Sequence, residues 1–141
     1  MNKRKINAFT LIELLVSISI IAILVAMASA SFSTMQRKAR DARRTEDMRA
    51  VSVAAETYYS SNSYVYSTGT SPWVAGTGET ILAVFPRDPK GTGWTGYVYG
   101  GGTTFYACAA VENRSNGNSS NNSGTVGAGG TGPFFCVKNR Q

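Results

Sequence analysis

Phe9-Thr10-Leu11-Ile12-Glu13-Leu14-Leu15-Val16 opens an apolar run that continues to Met35, and the reading of the whole chain turns on it. Lys3, Arg4 and Lys5 precede the run, Arg37, Lys38 and Arg40 follow it, and no charged residue falls between Leu14 and Gln36. As a helix rising about 1.5 Å per residue, the run is long enough to cross the roughly 30 Å hydrocarbon core of a bilayer. Its one acid, Glu13, is the anomaly. An ionisable side chain at the centre of a membrane helix costs on the order of 2.5–3.5 kcal/mol and by default marks a function.

Working outward, composition narrows the classes. A length of 141 residues suits one domain, and what remains beyond a long helix is a small head with a marginal core. Lys3, Arg4 and Lys5 supply half of the formal charge of +6, so the basic balance is weak support for a nucleic-acid partner. The chain has no His, which removes His-based triads, His metal sites and the commonest general base. Its two cysteines, Cys108 and Cys136, both lie in the distal part; in an exported small domain such a pair is expected to form a disulfide.

The basic residues 1–8 stay cytoplasmic by the positive-inside bias, which sends the C-terminus outward. Two processing routes compete. An ordinary secretory signal would use Leu11–Met27 as its apolar region and Ala28-Ser29-Ala30 as its cleavage site. Against it stand an apolar core longer than the usual 7–15 or so residues and the early Glu13. In the other route only the first eight residues are removed. Ala8-Phe9-Thr10-Leu11-Ile12-Glu13-Leu14-Leu15-Val16 resembles the class III signal of the type IV pilin superfamily, which embraces type IV pilins and type II secretion pseudopilins. The resemblance implies that a prepilin peptidase cuts between Ala8 and Phe9, that Phe9 is N-methylated, and that Glu13 serves assembly. Ala8 stands where the family usually has Gly, and Ala30 where many members carry a helix proline. A mid-helix proline costs about 3 kcal/mol. Ser17, Ser19, Ser29, Ser31, Ser33 and Thr34 weaken a helix only modestly, so a more continuous helix is predicted, with Ser29–Thr34 the stretch that assembly would draw out.

From Gln36 the composition turns charged while the helical period persists. Met35, Ala39, Ala42, Thr45, Met48, Val51, Ala55 and Tyr58 recur at steps of three or four as a stripe that can face a head. Arg37/Asp41, Arg43/Asp47 and Glu46/Arg49 are spaced as local ion pairs. The expected organisation is a leader over 1–8, a transmembrane or filament-core half helix over 9–35, an amphipathic half over 36–60 and a globular head over 61–141. Within the head, Thr80–Phe85 reads as a short strand or helical turn, and Pro86-Arg87-Asp88-Pro89-Lys90-Gly91 as a rigid turn. Tyr97–Tyr99, a Gly100–Gly102 turn, Thr103–Val111 and Phe134–Val137 read as three strands, with Phe105, Ala107, Ala109 and Val111 on one face. The Asn/Ser/Gly tract over 113–132 is expected as a mobile surface loop, closed by the Cys108–Cys136 bridge. The fold class is α+β, a long N-terminal helix packed on a small antiparallel sheet.

Three further signals are weaker. Asp88 is a poor calcium candidate, because calcium takes six to eight oxygens and no acidic cluster accompanies it. Arg37, Lys38, Arg40, Arg43 and Arg44 could meet lipid phosphate, a filament neighbour or DNA; their place beside the apolar run favours the first two. Asn113, Asn118 and Asn121 head Asn-x-Ser sequons, which an Asn/Ser-rich tract generates by composition. The expectation is a non-catalytic, cofactor-free subunit of a pilus-like homopolymer, processed by prepilin peptidase and assembled by inner-membrane machinery. The competing readings are a type II secretion pseudopilin and, from another class, an exported binding domain released at Ala30.

Overall fold

In the computed structural model, residues 9–70, 72–91, 96–123 and 132–139 are described. Helix α1 spans Leu11–Ser61, and neither Gly nor Pro occurs between Phe9 and Thr68 to interrupt it. Three hydroxyls of its apolar half turn back onto the backbone: Ser17 donates to the Glu13 carbonyl at 2.7 Å, Ser19 to Leu15 at 2.8 Å and Ser29 to Val25 at 2.8 Å. Each donor is thereby satisfied within the helix, the condition a lipid environment imposes. At the other end, the Asn62 side chain donates to the carbonyls of Tyr58 and Val74. Ser63 and Tyr64 then adopt left-handed backbone with φ of 55° and 59°, and the Tyr64 N–H returns to the Tyr59 carbonyl. The helix stops through a reversal of backbone hand.

The chain divides after Gln36 into two units. The first is the apolar half of α1, whose large hydrophobic side chains are exposed, from Val16 at 48% to Leu11 at 81%. It contains an 18-residue window of mean hydropathy 2.7, long and apolar enough to cross a membrane.

The second unit packs the rest of α1 with two antiparallel sheets. Strands β1 (Trp73–Val74) and β2 (Thr80–Leu82) form a ribbon, while β3 (Val98–Gly100), β4 (Tyr106–Ala110) and β5 (Phe134–Lys138) form a sheet in the order β3-β4-β5. Thr80–Leu82 is thus a strand, and Trp73–Val74, too short for a periodic signal, is its partner. Met48, Val51 and Ala55 of α1 share one core with Tyr66, Trp73, Phe85, Phe105, Ala107 and Ala109. Aromatic rings fill it, with Tyr59 stacked on Tyr66 at 4.4 Å, and Tyr66 against Phe105 and Trp73 against Tyr99 at 4.9 Å. Phe105, Ala107, Ala109 and Val111 are buried as their alternation predicts, but Cys108 and Ala110 are buried too. As the central strand, β4 is covered on both faces.

Cys108 and Cys136 stand directly opposite in the β4–β5 register, 4.1 Å apart at Cα, and are joined by a disulfide. Such close opposition belongs to a pair that exchanges no backbone hydrogen bonds, so the Cys136 N–H and C=O face away from β4. The Asn118 carboxamide takes both: its Oδ1 accepts from the Cys136 N–H at 2.7 Å and its Nδ2 donates to the Cys136 carbonyl at 2.9 Å. Ser119, buried, adds a backbone bridge to Phe134. The outer edge of β5 is therefore closed by side chain and loop. A Cβ on Gly117 would fall 2.0 Å from the Gly132 carbonyl oxygen, so this fastening requires glycine. Of the tract read as a loop, 113–123 is loop with a short 3₁₀ turn at Arg114–Asn116; 124–131 lie outside the described residues.

Candidate functional site

At the start of α1, Thr10 and Glu13 cap one another. Glu13 Oε2 accepts from the Thr10 N–H at 2.9 Å and from its hydroxyl at 2.7 Å, while the Glu13 N–H donates to Thr10 Oγ1 at 3.3 Å. This is a capping box, in which two otherwise orphan amide donors of a helix end are satisfied reciprocally. The Thr-x-x-Glu spacing at 10–13 was the available signal, and reading Glu13 only as an isolated acid passes over it. The acid also sits at the positive end of the helix dipole. Phe9 is 75% exposed, and Ala8 lies outside the described residues.

The second unit holds a constellation of which local spacing offers only one pair, Asp41 with Arg44 at i,i+3. Arg44, fully buried on α1, donates from Nε to Asp88 Oδ2 at 2.6 Å and from Nη2 to Asp88 Oδ1 at 2.9 Å. Its Nη1 donates to Asp41 Oδ1 at 2.8 Å and Glu112 Oε1 at 3.1 Å. Arg40 forks onto both oxygens of Glu112 at 2.6 and 2.8 Å, with Lys90 Nζ 3.6 Å from Oε2. Asp41, also buried, accepts the N–H groups of Glu112 and Asn113 at 2.9 Å each. One guanidinium thus ties the helix to the turn after β2 and to the loop after β4.

The charges hold each other in the ionised state. Burial works against the Arg44 charge, but hydrogen bonds to Asp88, Asp41 and Glu112 outweigh it and raise the pKa further. Burial likewise opposes the Asp88 carboxylate, and the Arg44 guanidinium with the Lys90 N–H nevertheless lowers its pKa. Glu112 is pulled down to about 2, chiefly by the hydrogen bonds from Arg40. Bidentate guanidinium–carboxylate geometry makes these the stronger kind of hydrogen bond.

Several expected pairings are replaced. Asp41 serves Arg44 and the loop after β4 where spacing offered Arg37; Asp47 accepts the Tyr97 hydroxyl at 2.6 Å where spacing offered Arg43. Ala39 and Ala42 of the predicted stripe are exposed, and Asp41 and Arg44 take the buried face there. Asp88, the weak metal candidate, spends both oxygens on Arg44 and accepts the Lys90 N–H. Among the described residues no group of three potential metal ligands occurs; three carboxylates converge on a guanidinium instead.

No curated protein and no solved structure matches the chain. A family model described as the prokaryotic N-terminal methylation motif matches residues 3–29. That span takes in the basic residues Lys3, Arg4 and Lys5, Phe9, the capping pair and most of the exposed apolar half of α1. Through these residues the chain carries the class III signal that is the hallmark of type IV pilins and pseudopilins.

Proposed function

We propose that this protein is the structural subunit of a type IV pilus-like filament, made as a single-pass inner-membrane precursor with its head outside. Prepilin peptidase removes residues 1–8 and methylates Phe9, and assembly machinery in the inner membrane moves the subunit from lipid into a bundle of like helices. The observation that carries the reading is the methylation motif over 3–29 lying on the half of α1 whose large apolar side chains are exposed in the single chain. That surface requires lipid before assembly and neighbouring helices after it.

Glu13 supplies the register. Cleavage creates a cationic amino group on Phe9, and the Glu13 carboxylate of a neighbouring copy is its counter-ion. Opposite charges about 4 Å apart attract by roughly 4 kcal/mol at an effective dielectric near 20. A subunit inserted out of register would leave a carboxylate unpaired in apolar surroundings, a strongly penalised arrangement. The work is mechanical, without catalysis by this chain.

Mass spectrometry of the mature N-terminus is the direct test. A methylated Phe9 is the expected product; an N-terminus at Ser31 would replace the filament subunit by a released exported domain. Imaging of surface fibres, and their loss on deletion of the gene, separates a pilus from a periplasmic pseudopilus.

A further inference from the structure

Five cations follow the apolar run, and the structure sorts them. Arg44 and Arg40 are consumed by the carboxylates of Asp41, Asp88 and Glu112. Arg37, Lys38 and Arg43 remain exposed, with no acid among the described residues within ion-pair distance. The only acid in this segment, Asp41, is buried and committed to Arg44 and two backbone amides. Glu46, next along the helix, lies beyond ion-pair distance of all three, and Asp47 accepts the Tyr97 hydroxyl. Successive residues of an α-helix are turned by about 100°, so positions 37, 38 and 43 point to different sides and span about 9 Å along the axis. They form a ring and not a stripe. A ring of that height is comparable with the headgroup layer, roughly 5–8 Å thick on each side of a bilayer's hydrocarbon core, which long basic side chains can reach from just outside it. A groove in DNA would instead call for cations along one face.

We infer that Arg37, Lys38 and Arg43 form a cationic collar that binds anionic phospholipid headgroups of the leaflet on the head side, holding the subunit at fixed depth until assembly withdraws it. The inference rests on the membrane-inserted precursor proposed above. Removal of the leader takes away Lys3, Arg4 and Lys5, so the collar is the basic flank that the mature span retains. Basic clusters beside a membrane helix attract anionic lipid, and the attraction falls off within a Debye length.

The test uses the full mature chain reconstituted in phosphatidylcholine vesicles containing a minor fraction of phosphatidylglycerol. Spin-labelled versions of the two lipids report the motionally restricted fraction beside the protein. The expected result is a phosphatidylglycerol preference of roughly fivefold for each collar side chain engaged, weakened by salt and abolished in the triple variant Arg37→Gln, Lys38→Gln, Arg43→Gln. Equal association of the two lipids, or a preference that survives the triple substitution, overturns the collar. Displacement of the labelled phosphatidylglycerol by added duplex DNA at matched charge, with tight retention of the DNA, overturns it in favour of a nucleic-acid surface. Alkaline extraction of the same vesicles separates the two levels: a chain that stays in the pellet but shows no lipid preference defeats only the collar. A chain washed into the supernatant defeats the membrane reading and the collar with it.

Discussion

Glu13 already has a partner inside its own helix. The two bonds from Thr10 fall on a single oxygen, Oε2, which explains how a lone carboxylate is accommodated at the head of an apolar segment before any neighbour arrives. Capping of this kind contributes about 1 kcal/mol, less than the attraction expected from a neighbour's amino group, so the proposed assembly step would exchange one partner for the other. Replacing Glu13 by Leu removes both. Membrane insertion of Glu13→Leu is expected to match wild type by carbonate extraction, while its incorporation into sheared fibres falls at least about tenfold, as the loss of a partly desolvated ion pair implies. Normal incorporation would remove Glu13 from the assembly step. At the other residue of interest, Asn118, a glycan on Nδ2 would break the bond to the Cys136 carbonyl, so that sequon is sealed by the fold.

At the scale of elements, α1 changes its job along its length. Its C-terminal half buries Met48, Val51 and Ala55 in the aromatic core and, one turn earlier, buries charge through Asp41 and Arg44. Truncating one member of a buried ion network costs about 3–5 kcal/mol, because the remaining charges are stranded. Exposed substitutions usually stay within about 0.5 kcal/mol. Arg44→Ala is therefore expected to lower the melting temperature of the detergent-solubilised protein steeply, with Arg43→Ala, one residue away, nearly neutral. Equal melting temperatures for the two variants would show that the network contributes no net stability.

For the molecule as a whole, the same network sets an acid limit. Glu112 titrates near 2 in the fold against an ordinary 4.5, and Asp88 is lowered in the same sense. A carboxylate depressed in the folded state stabilises fully above its unfolded pKa and loses that contribution as pH falls through the folded one. Chemical denaturation is accordingly expected to give constant stability near neutrality and a progressive fall from about pH 4.5 downward. A stability profile flat to pH 2 would contradict the ionised cluster. The disulfide acts through the unfolded chain: with a separation of 28 residues between Cys108 and Cys136, its loss in Cys108→Ser/Cys136→Ser is expected to cost about 3–4 kcal/mol.

The unbroken helix, the strands at β3, β4 and β5, the cysteine pairing and the methylation motif were all legible in the sequence. Each depends on local quantities: periodicity, the absence of Gly and Pro, alternation and the spacing of a short motif. Their physics acts between residues close along the chain or, for the cysteines, offers a single pairing. Tertiary structure alone decided where the charges go. Asp88 and Glu112 lie 44 and 68 residues from Arg44, and no spacing rule reaches that far; Asp41 is within local reach of both Arg37 and Arg44, and spacing alone does not rank them. It also decided that Asn118 and Ser119, in a tract whose composition reads as loose surface, close the edge of β5. Long-range placement is set by which backbone groups and charges the packed core leaves without water, and only the folded chain determines that.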